Sequence, residues 1–520
     1  MQLSIHGYSL VLYSELSLGS WRLLSEHWKM EDGDVRHYTE WTPRHINRSR
    51  VRNSKDVHHN TELTPSLLGR SMYKYEDESK ETSTIMNLLG YGPVIRQKRI
   101  EALNEWDRLW NAHCFDGVAS SITAGSKAQG LTCVFESDKD MIYVLPNTMC
   151  LEYGFDESTI PDHINVFKMN TQSCSAGYCR LLLERSASLD HPVIFNSLID
   201  NGHGMILMSS TYFVEHLKNF YSSFRPAVQY PHAGPSLPWS LGPYRNDRVV
   251  AIHCNCRVIL QKWASRTRHW PPPGIIEKVI AMRAFVTPIG FKGSEFNHVE
   301  WRICFNPAET ELVNNLNDTQ VKIYFILKMI VNDVLKPQTK EITSYILKNI
   351  VLWLAENNPQ TLFYPESLFH WLHEGLDILR IAIFESQLPY HFIPERNLMA
   401  KRGHDVEQQR VLVRSITDMI NEGPRMLLRL KKVRHAIVCH PEPLLWYSKR
   451  RTELELLKLE YTNRRLKCFK DENFMMYDFD IIGKALAVRM SEILLEVLRR
   501  MPFEGNSVND LMVVREMMLS

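Results

Sequence analysis

Two short polar stretches early in the chain contain the residue types that hold a phosphate and a metal ion. Gly125 and Ser126 form a Gly-Ser pair, and Asp138 and Asp140 follow after a short spacer. A Gly-Ser turn beside a helix presents backbone N–H groups and a hydroxyl to a phosphate. Residues two apart on a strand share a face, so the two carboxylates project together, and a divalent cation relieves their repulsion. Because Mg²⁺ prefers a few carboxylates together with phosphate oxygens, the pattern predicts a magnesium-dependent phosphate site.

The segments that would position these residues alternate between strands and helices. Apolar residues at three-residue steps predict a helix over 94–110, and β-rich runs bracketed by Gly and Pro predict strands. The predicted strands cover 131–135, 141–145, 164–168, 178–183, 249–253 and 284–289, and a helix covers 209–220. After Trp301 the predicted elements are helices, over 321–335, 342–356, 365–385, 406–420, 453–466 and 481–499.

This change of pattern predicts an α+β fold with two lobes. Residues 1–80 are polar and irregular, which predicts a poorly ordered leader, and the arginines at 44, 48, 50 and 52 make part of it basic. Residues 81–300 form the mixed lobe, 301–404 a helical lobe and 405–520 a helical extension.

The composition restricts the class of protein. Among 520 residues, 61 are Lys or Arg and 59 are Asp or Glu, so the net charge is +2 and any nucleic-acid surface has to be local. The 10 cysteines are scattered without a CxxC pair, which favours reduced, buried thiols over zinc ligands. No apolar run approaches the ~18 residues of a membrane span, and no secretory signal is recognisable. We therefore expect a cytoplasmic or nuclear protein without a membrane partner.

Several longer motifs give the Gly-Ser and Asp-x-Asp pattern a family context. The chain resembles the Mab-21 family, which includes cyclic GMP–AMP synthase (cGAS) and the animal cGAS-like receptors, over roughly residues 90–398. The resemblance implies a polymerase-β-like nucleotidyltransferase core followed by a helical lobe. The segments that carry it are Gly202–Phe213 (GHGMILMSSTYF), Glu300–Phe305 (EWRICF), Thr343–Lys348 (TSYILK) and His391–Leu398 (HFIPERNL).

The resemblance implies a set of catalytic carboxylates. The family's first two metal ligands fall on Asp138 and Asp140, and its third falls on Asp247, a few residues before Ala251-Ile252-His253-Cys254. A complete set implies Mg²⁺ or Mn²⁺ as cofactor. The family's zinc-binding insertion is absent, because the segment after Glu300–Phe305 continues directly into the next helix at residues 316–319. No zinc thumb is therefore expected.

The resemblance also implies nucleotide contacts. Gly125 and Ser126 would contact the triphosphate, Lys328 would bind a phosphate, and Ser344 would add a hydroxyl. Tyr345 would stack on a base, and Arg302 would contact the second nucleobase. One departure concerns the phosphate loop, because Lys127 stands where the family often has a second serine.

Three functions remain open. The first is a cGAS-like enzyme, activated by a ligand, that joins ATP and/or GTP into a cyclic or linear dinucleotide second messenger of innate immunity. The second is a catalytically silent Mab-type protein that binds a nucleotide or a partner. The third is a nucleic-acid-binding protein, supported by a cluster at 425–434 and by a basic face that would bind double-stranded nucleic acid as activator. That face comprises Arg96, Lys98, Arg99 and Arg108. The oligomeric state is left open.

Overall fold

The structure is a computed structural model and describes most of the chain after residue 72. The described residues are 73–114, 120–155, 160–187, 192–221, 228–230, 234–241, 244–336, 342–400, 406–468 and 480–520. Most of the predicted leader therefore lies outside them. The first helix begins at Glu76, before the predicted boundary at residue 80. Within the described residues, no helix is both long enough and apolar enough to cross a membrane.

The strands lie between residues 120 and 304 and form one mixed sheet. Their order along the sheet is β1-β2-β3-β4-β11-β10-β9-β8-β7, with β6 pairing with β4 and β5 with β6. The strands are β1 (Ser120–Ala124), β2 (Lys139–Leu151), β3 (Asn165–Asn170), β4 (Tyr178–Arg185), β5 (Leu198–Asp200), β6 (Ile206–Met208), β7 (Val228–Gln229), β8 (Ser236–Leu241), β9 (Tyr244–Asn255), β10 (Ala284–Thr287) and β11 (Glu300–Cys304).

Strand β2 is the centre of this sheet. Strand β9 runs parallel to it along one edge, while β1 and then β3 pair with its other edge. Successive side chains of a strand point to opposite faces, so both faces of β2 are set by its sequence. On one face, buried Ile142 and Val144 pack with Ala251 and Phe285. The predicted strands at 141–145, 164–168, 178–183, 249–253 and 284–289 are confirmed.

The predicted strand over 131–135 is wrong. Residues 131–138 form turns and irregular backbone instead, although Leu131 and Cys133 are buried as a strand pattern would require. No neighbouring strand in the described part of the chain pairs with this backbone, and side chains supply several of its hydrogen bonds. The Lys127 ammonium donates to the carbonyl oxygens of Cys133 (2.8 Å) and Val134 (2.9 Å), and Glu136 accepts from the Cys133 N–H at 3.1 Å.

The helices surround the sheet and then form a separate helical region, as predicted for an α+β chain. Helix α9 is buried almost all round and packs with α10 and α11. The helices are α1 (Glu76–Met86), α2 (Pro93–Cys114), α3 (Gly125–Ala128), α4 (Pro192–Phe195), α5 (Ser210–Tyr221), α6 (Arg257–Ala264), α7 (Pro273–Ile280), α8 (Asn306–Asn314), α9 (Asp318–Ile330), α10 (Ser344–Asn357), α11 (Leu368–Glu385), α12 (Val406–Glu422), α13 (Lys431–Cys439), α14 (Leu444–Cys468), α15 (Ile481–Arg500) and α16 (Leu511–Met518).

The Glu-Trp pair that opens β11 is structural. Buried Glu300 accepts hydrogen bonds from the Phe291 N–H (2.9 Å) and the Ser294 hydroxyl (2.7 Å). The Trp301 indole donates to the Met208 carbonyl at 2.8 Å and packs edge-on against Phe213. These contacts fix β11 between β4 and β10, which sets the position of Arg302 on the same strand.

The C-terminal extension, residues 406–520, packs back onto the mixed lobe. Helix α14 lies against α2, where the Asn463 amide donates to the Ala102 carbonyl at 2.8 Å. Helices α14, α15 and α16 enclose a second apolar core that includes Cys133 from the irregular segment. Its buried members are Cys133, Leu454, Ile493, Leu494, Val497, Met501, Val514, Met518 and Leu519.

The predicted basic ligand face on α2 requires a correction. Arg96 and Arg99 are 8% and 2% exposed, because the extension and the 129–130 backbone cover them. Arg96 donates to the carbonyls of Gln129 and Val313, and Arg99 forms a bidentate ion pair with Glu455 at 2.6 and 2.8 Å. Lys98 and Arg108 remain exposed, each paired with a glutamate on its own helix. Two of the four residues are therefore structural and present no surface to a ligand.

The Arg99–Glu455 pair generates a stability prediction. We expect Glu455→Gln to lower the free energy of unfolding by about 3 kcal/mol, because it leaves a buried guanidinium without a counter-charge. The double variant Arg99→Met/Glu455→Met removes both charges and should recover most of that loss. Urea unfolding of the full chain measures both. Glu101→Gln, in the exposed pair with Lys98, is the control and should show no measurable change. A double variant as unstable as the single one would contradict the prediction.

Candidate functional site

The Gly-Ser turn and the Asp-x-Asp pair meet in space. Gly125 follows β1, whose residue Ala124 lies opposite Asp140 on β2. Gly125 has φ +68°, and a Cβ at this position would lie 1.9 Å from Oδ2 of Asp140. A side chain here would therefore collide with the carboxylate as well as strain the backbone. The glycine brings the backbone of the phosphate loop directly against a candidate metal ligand.

The third candidate carboxylate is the cross-strand neighbour of the second. Asp247 on β9 is in register with Asp140 on β2, and Asp138 immediately precedes β2. Burial raises the pKa of Asp140 to about 6, and the negative charges of Asp247 and Asp138 add to the rise against the opposing charge of Lys348. Burial and the charge of Asp138 also raise the pKa of Asp247. The three residues predicted as metal ligands are thus brought together as one electrostatic unit.

The residue between the two aspartates points to the opposite face, as strand alternation requires. The Lys139 ammonium lies 2.9 Å from the centroid of the Trp106 ring on α2. Burial lowers its pKa to about 7, against the opposing charge of Asp107. Lys139 therefore anchors β2 to α2 while Asp138 and Asp140 face the site.

A second group of side chains comes from the helical lobe. The Ser126 hydroxyl lies 3.4 Å from the Tyr324 hydroxyl on α9, which also hydrogen-bonds Ser344 at the start of α10. Lys348, one turn after Ser344, has its pKa lowered to about 8 by burial, with Glu309 and Asp140 opposing that shift. The helical lobe thus places hydroxyls and a lysine beside the carboxylates of the sheet.

The predicted phosphate-binding lysine lies near the same group. The Lys328 ammonium is 3.7 Å from Oε1 of Glu136, and its side chain is 15% exposed. Among the described residues it has no hydrogen-bond partner. Burial lowers its pKa, while the charge of Glu136 opposes the shift. A buried ammonium without hydrogen bonds is costly, so this side chain is suited to receive an anionic ligand.

The predicted base-stacking residue has its hydroxyl engaged elsewhere. Tyr345 donates to Glu309 Oε1 at 2.8 Å, and Tyr390 donates to the same oxygen at 2.6 Å. Their rings lie 5.9 Å apart, and the guanidinium of Arg396 lies 5.0 Å from the Tyr390 centroid. Glu309 therefore fixes the orientation of Tyr345, whose ring is half-buried. Arg302 lies near Tyr345.

The helical lobe matches a known family model. Residues 319–417, from α9 to α12, match the Mab-21 protein HhH/H2TH-like domain. This part of the chain is therefore a Mab-21-type domain. This family is related to nucleotidyltransferases, which agrees with the mixed sheet and the carboxylates upstream of the matched domain. No curated protein matches the chain significantly. The Mab-21 membership inferred from the motifs is confirmed, and the closer resemblance to the cGAS-like receptors stays a prediction.

The departure from the family pattern at Lys127 has a structural explanation in this Mab-21 protein. Its ammonium is directed at the carbonyls of Cys133 and Val134 and supports the segment that leads into Asp138. Burial lowers its pKa to about 8. Lys127 is therefore committed to the loop rather than to a phosphate.

Sequence reasoning missed Tyr324, Glu309 and Glu136 as residues of the site. Tyr324 lies in an almost wholly buried helix, where the sequence pattern predicts that an aromatic residue belongs to the hydrophobic core. Lys348 belongs to the Thr343–Lys348 motif, and its position one turn after Ser344 was a usable signal, because residues four apart share a helix face. Glu136 is separated from its partners Tyr91 and Lys328 by long stretches of chain, so no local pattern reveals it.

The donor set fits a divalent metal ion, although the ligands do not yet enclose one. Among the described residues, no group of three His, Cys, Asp or Glu side chains is already arranged to hold a metal ion. The Asp138, Asp140 and Asp247 carboxylates nevertheless supply the oxygen ligands that Mg²⁺ and Mn²⁺ prefer. Burial and the neighbouring carboxylates raise the pKa values of Asp140 and Asp247, and a cation would relieve the repulsion between these charges. The remaining ligands would come from substrate phosphates and water.

The raised pKa of Asp140 generates a pH prediction. The folded pKa of about 6 exceeds the ordinary value of 3.8, so the folded state binds more protons between these values and loses stability as pH rises through them. Asp140→Asn should remove this loss. Without divalent metal, we expect the variant to be more stable than wild type by about 1–2 kcal/mol at pH 7, and equal to it at pH 4.

Urea unfolding with a chelator present measures this difference. Asp162→Asn replaces a fully exposed carboxylate and is the control, for which no pH-dependent gain is expected. A destabilised Asp140→Asn variant at pH 7 would show that the carboxylate is a structural partner rather than a repelled charge.

Proposed function

We propose that this Mab-21 protein is a magnesium-dependent nucleotidyltransferase of the cGAS-like type. It would join ATP and/or GTP into a cyclic or linear dinucleotide that acts as a second messenger in innate immune signalling. The observation that carries the proposal is the direct approach of Gly125 to Asp140, with Asp247 opposite in register. On this proposal, the backbone at Gly125 would bind a phosphate beside the carboxylate cluster, as metal-assisted phosphoryl chemistry requires.

The proposed roles follow from where each side chain lies. When bound, Mg²⁺ or Mn²⁺ would stabilise the entering and leaving oxygens of an in-line displacement at the α-phosphorus. Asp138 and Asp140 would hold the ion, and Gly125 and Ser126 would donate to phosphate oxygens of the triphosphate. Asp247 would orient the attacking ribose hydroxyl from the neighbouring strand. The hydroxyl would lose its proton to water, its oxygen would form the new bond to the α-phosphorus, and the bond from that phosphorus to pyrophosphate would break.

The helical lobe would bind the rest of the nucleotides. Lys328 and Lys348 would neutralise phosphate charge, since both ammonium groups are largely buried near the carboxylates. Ser344 would contact the same phosphates beside Tyr324. Tyr345 would offer one face of its ring to a base, because Glu309 holds it in a fixed orientation. Stacking tolerates any base, so base choice would depend on polar neighbours such as Arg302.

A catalytically silent nucleotide-binding protein is the second candidate. The observation in its favour is that the three carboxylates are not yet arranged as a closed metal site in the described part of the chain. On this alternative, the lysines and hydroxyls would bind a nucleotide without transfer. The two candidates differ in one measurement, which is product formation.

The experiment is thin-layer chromatography of labelled ATP, GTP, CTP and UTP incubated with the protein and Mg²⁺ or Mn²⁺. Parallel reactions contain double-stranded RNA or double-stranded DNA as candidate activators. A product in either reaction supports the enzyme. Metal-dependent nucleotide binding without any product supports the silent protein.

The role of Asp247 is tested by a conservative variant. Asp247→Asn keeps the shape and removes the charge, so it should bind nucleotide nearly as well as wild type. Because a carboxylate that orients the attacking group acts mainly in the transition state, turnover should fall at least ~100-fold. Asp162→Asn, an exposed aspartate away from the site, is the control and should keep full activity. Equal turnover by the Asp247 variant and wild type would show that the third carboxylate is another residue.

A further inference from the structure

Glu136 is a buried carboxylate beside the proposed site that the proposed chemistry does not use. It lies in the irregular segment between the Gly-Ser turn and Asp138, and its side chain is 18% exposed. Its Oε2 accepts from the Cys133 N–H at 3.1 Å, which closes the turn on itself. Its Oε1 accepts from the Tyr91 hydroxyl at 3.0 Å and lies 3.7 Å from the Lys328 ammonium.

The distance to Lys328 defines the kind of interaction. At 3.7 Å the two groups are too far apart for a full hydrogen bond, yet close enough for a strong charge interaction. Since Lys328 has no hydrogen-bond partner among the described residues, all of its donors remain for a ligand. Glu136 thus holds the lysine electrostatically in place while leaving its hydrogens unused.

A chain of hydrogen bonds continues from Glu136 to the C-terminal extension. The Lys432 ammonium on α13 donates to the Tyr91 hydroxyl at 2.8 Å, and that hydroxyl donates to Glu136. Lys432 also donates to the Ser520 carbonyl at 2.8 Å. One residue before Glu136, the Phe135 N–H donates to the Leu519 carbonyl at 2.9 Å. The C-terminal end of the extension therefore contacts this segment directly through Leu519, and Lys432 is linked to Glu136 through Tyr91.

We propose that Glu136 is a positioning residue of the nucleotide site. It holds Lys328 where an incoming triphosphate meets it, and it ties that position to the C-terminal extension through Tyr91 and Lys432. This proposal rests on the proposed function, because it assigns Lys328 to the nucleotide phosphates. It also gives residues 406–520 a role, because their contacts through Lys432 and Tyr91 would hold Glu136, and with it Lys328, in position.

The proposal predicts opposite effects of two substitutions on triphosphate binding. Glu136→Gln keeps the shape and removes the negative charge that competes with phosphate for Lys328. A non-hydrolysable triphosphate nucleotide should then bind roughly 3- to 10-fold more tightly. Turnover should fall, because the lysine is no longer held in one position. A merely structural glutamate would give weaker binding instead.

The second substitution is Tyr91→Phe, which keeps the charge of Glu136 and removes a hydrogen-bond donor to it. Oε1 of Glu136 then has Lys328 as its remaining partner, which strengthens the competition with phosphate, so nucleotide binding should weaken by roughly 2- to 3-fold. In the double variant Glu136→Gln/Lys328→Met, the gain in affinity should disappear, because it acts through the lysine. Glu422→Gln, in a surface pair with Arg429, is the matched control and should leave affinity unchanged.

Titration calorimetry of the full chain with Mg²⁺ and the non-hydrolysable nucleotide measures these affinities, and the chromatographic assay measures turnover. Unchanged or weaker binding by Glu136→Gln overturns the proposal, and so does a gain that persists without Lys328. If Glu136→Gln does not fold, unchanged or tighter binding by Tyr91→Phe overturns it. A wild-type protein that binds nucleotide but forms no product overturns only the catalytic function, whereas one that binds no nucleotide overturns both.

Discussion

The parallel pairing of β2 with β9 is the constraint on which the candidate site depends. It places Asp140 opposite Asp247 and leaves the other edge of β2 to β1, which delivers Gly125 against the Asp140 carboxylate. Strand alternation turns Lys139 away to Trp106, so the carboxylates share one face without a lysine among them. A shift of register by one residue would reverse these faces. The apolar packing of Ile142 and Val144 on Ala251 and Phe285 therefore fixes the position of the carboxylates as well as the sheet.

The two lobes contribute opposite charges to this site. The sheet supplies the aspartates, and burial together with the neighbouring carboxylates raises the pKa values of Asp140 and Asp247. Helices α9 and α10 supply Lys328 and Lys348, whose burial favours loss of a proton. Burial makes the charged form of each set of side chains unfavourable. In a magnesium-bound triphosphate, the cation would compensate the aspartates and the phosphates would compensate the lysines. Glu309 and Glu136 act differently from the aspartates. Glu309 accepts the hydrogen bond that orients Tyr345, and Glu136 attracts the ammonium of Lys328.

Local patterns in the sequence were sufficient for the parts of the fold that depend on local contacts. Strand segments such as 141–145 and 249–253 and the long helices after Trp301 were predicted because their apolar periodicity is continuous. The segment 131–135 was predicted wrongly because Cys133, Val134 and Phe135 pack against the C-terminal extension and Leu131 joins the main core, rather than all lying within a sheet. Apolar periodicity predicts which residues are buried, but it does not predict which element covers them. The same limit applies to Arg96 and Arg99, whose spacing on a helix indicates solvent exposure. In the structure, the carbonyls of Gln129 and Val313 bind Arg96, and Glu455 of α14 binds Arg99.

The placement of α14 restricts how a ligand could act through α2. A polyanion that binds Arg99 has to displace Glu455, which would then be a buried carboxylate without its partner. Such a displacement would also separate Leu454 from Cys133, since both belong to the core under the extension. Cys133 in turn belongs to the segment that Lys127 and Glu136 hold and that leads into Asp138. A ligand that binds Arg99 would therefore also loosen the segment that leads into Asp138. An activator that leaves the segment intact has to bind a surface that the extension does not cover, and of the four basic residues considered on α2, only Lys98 and Arg108 lie on such a surface.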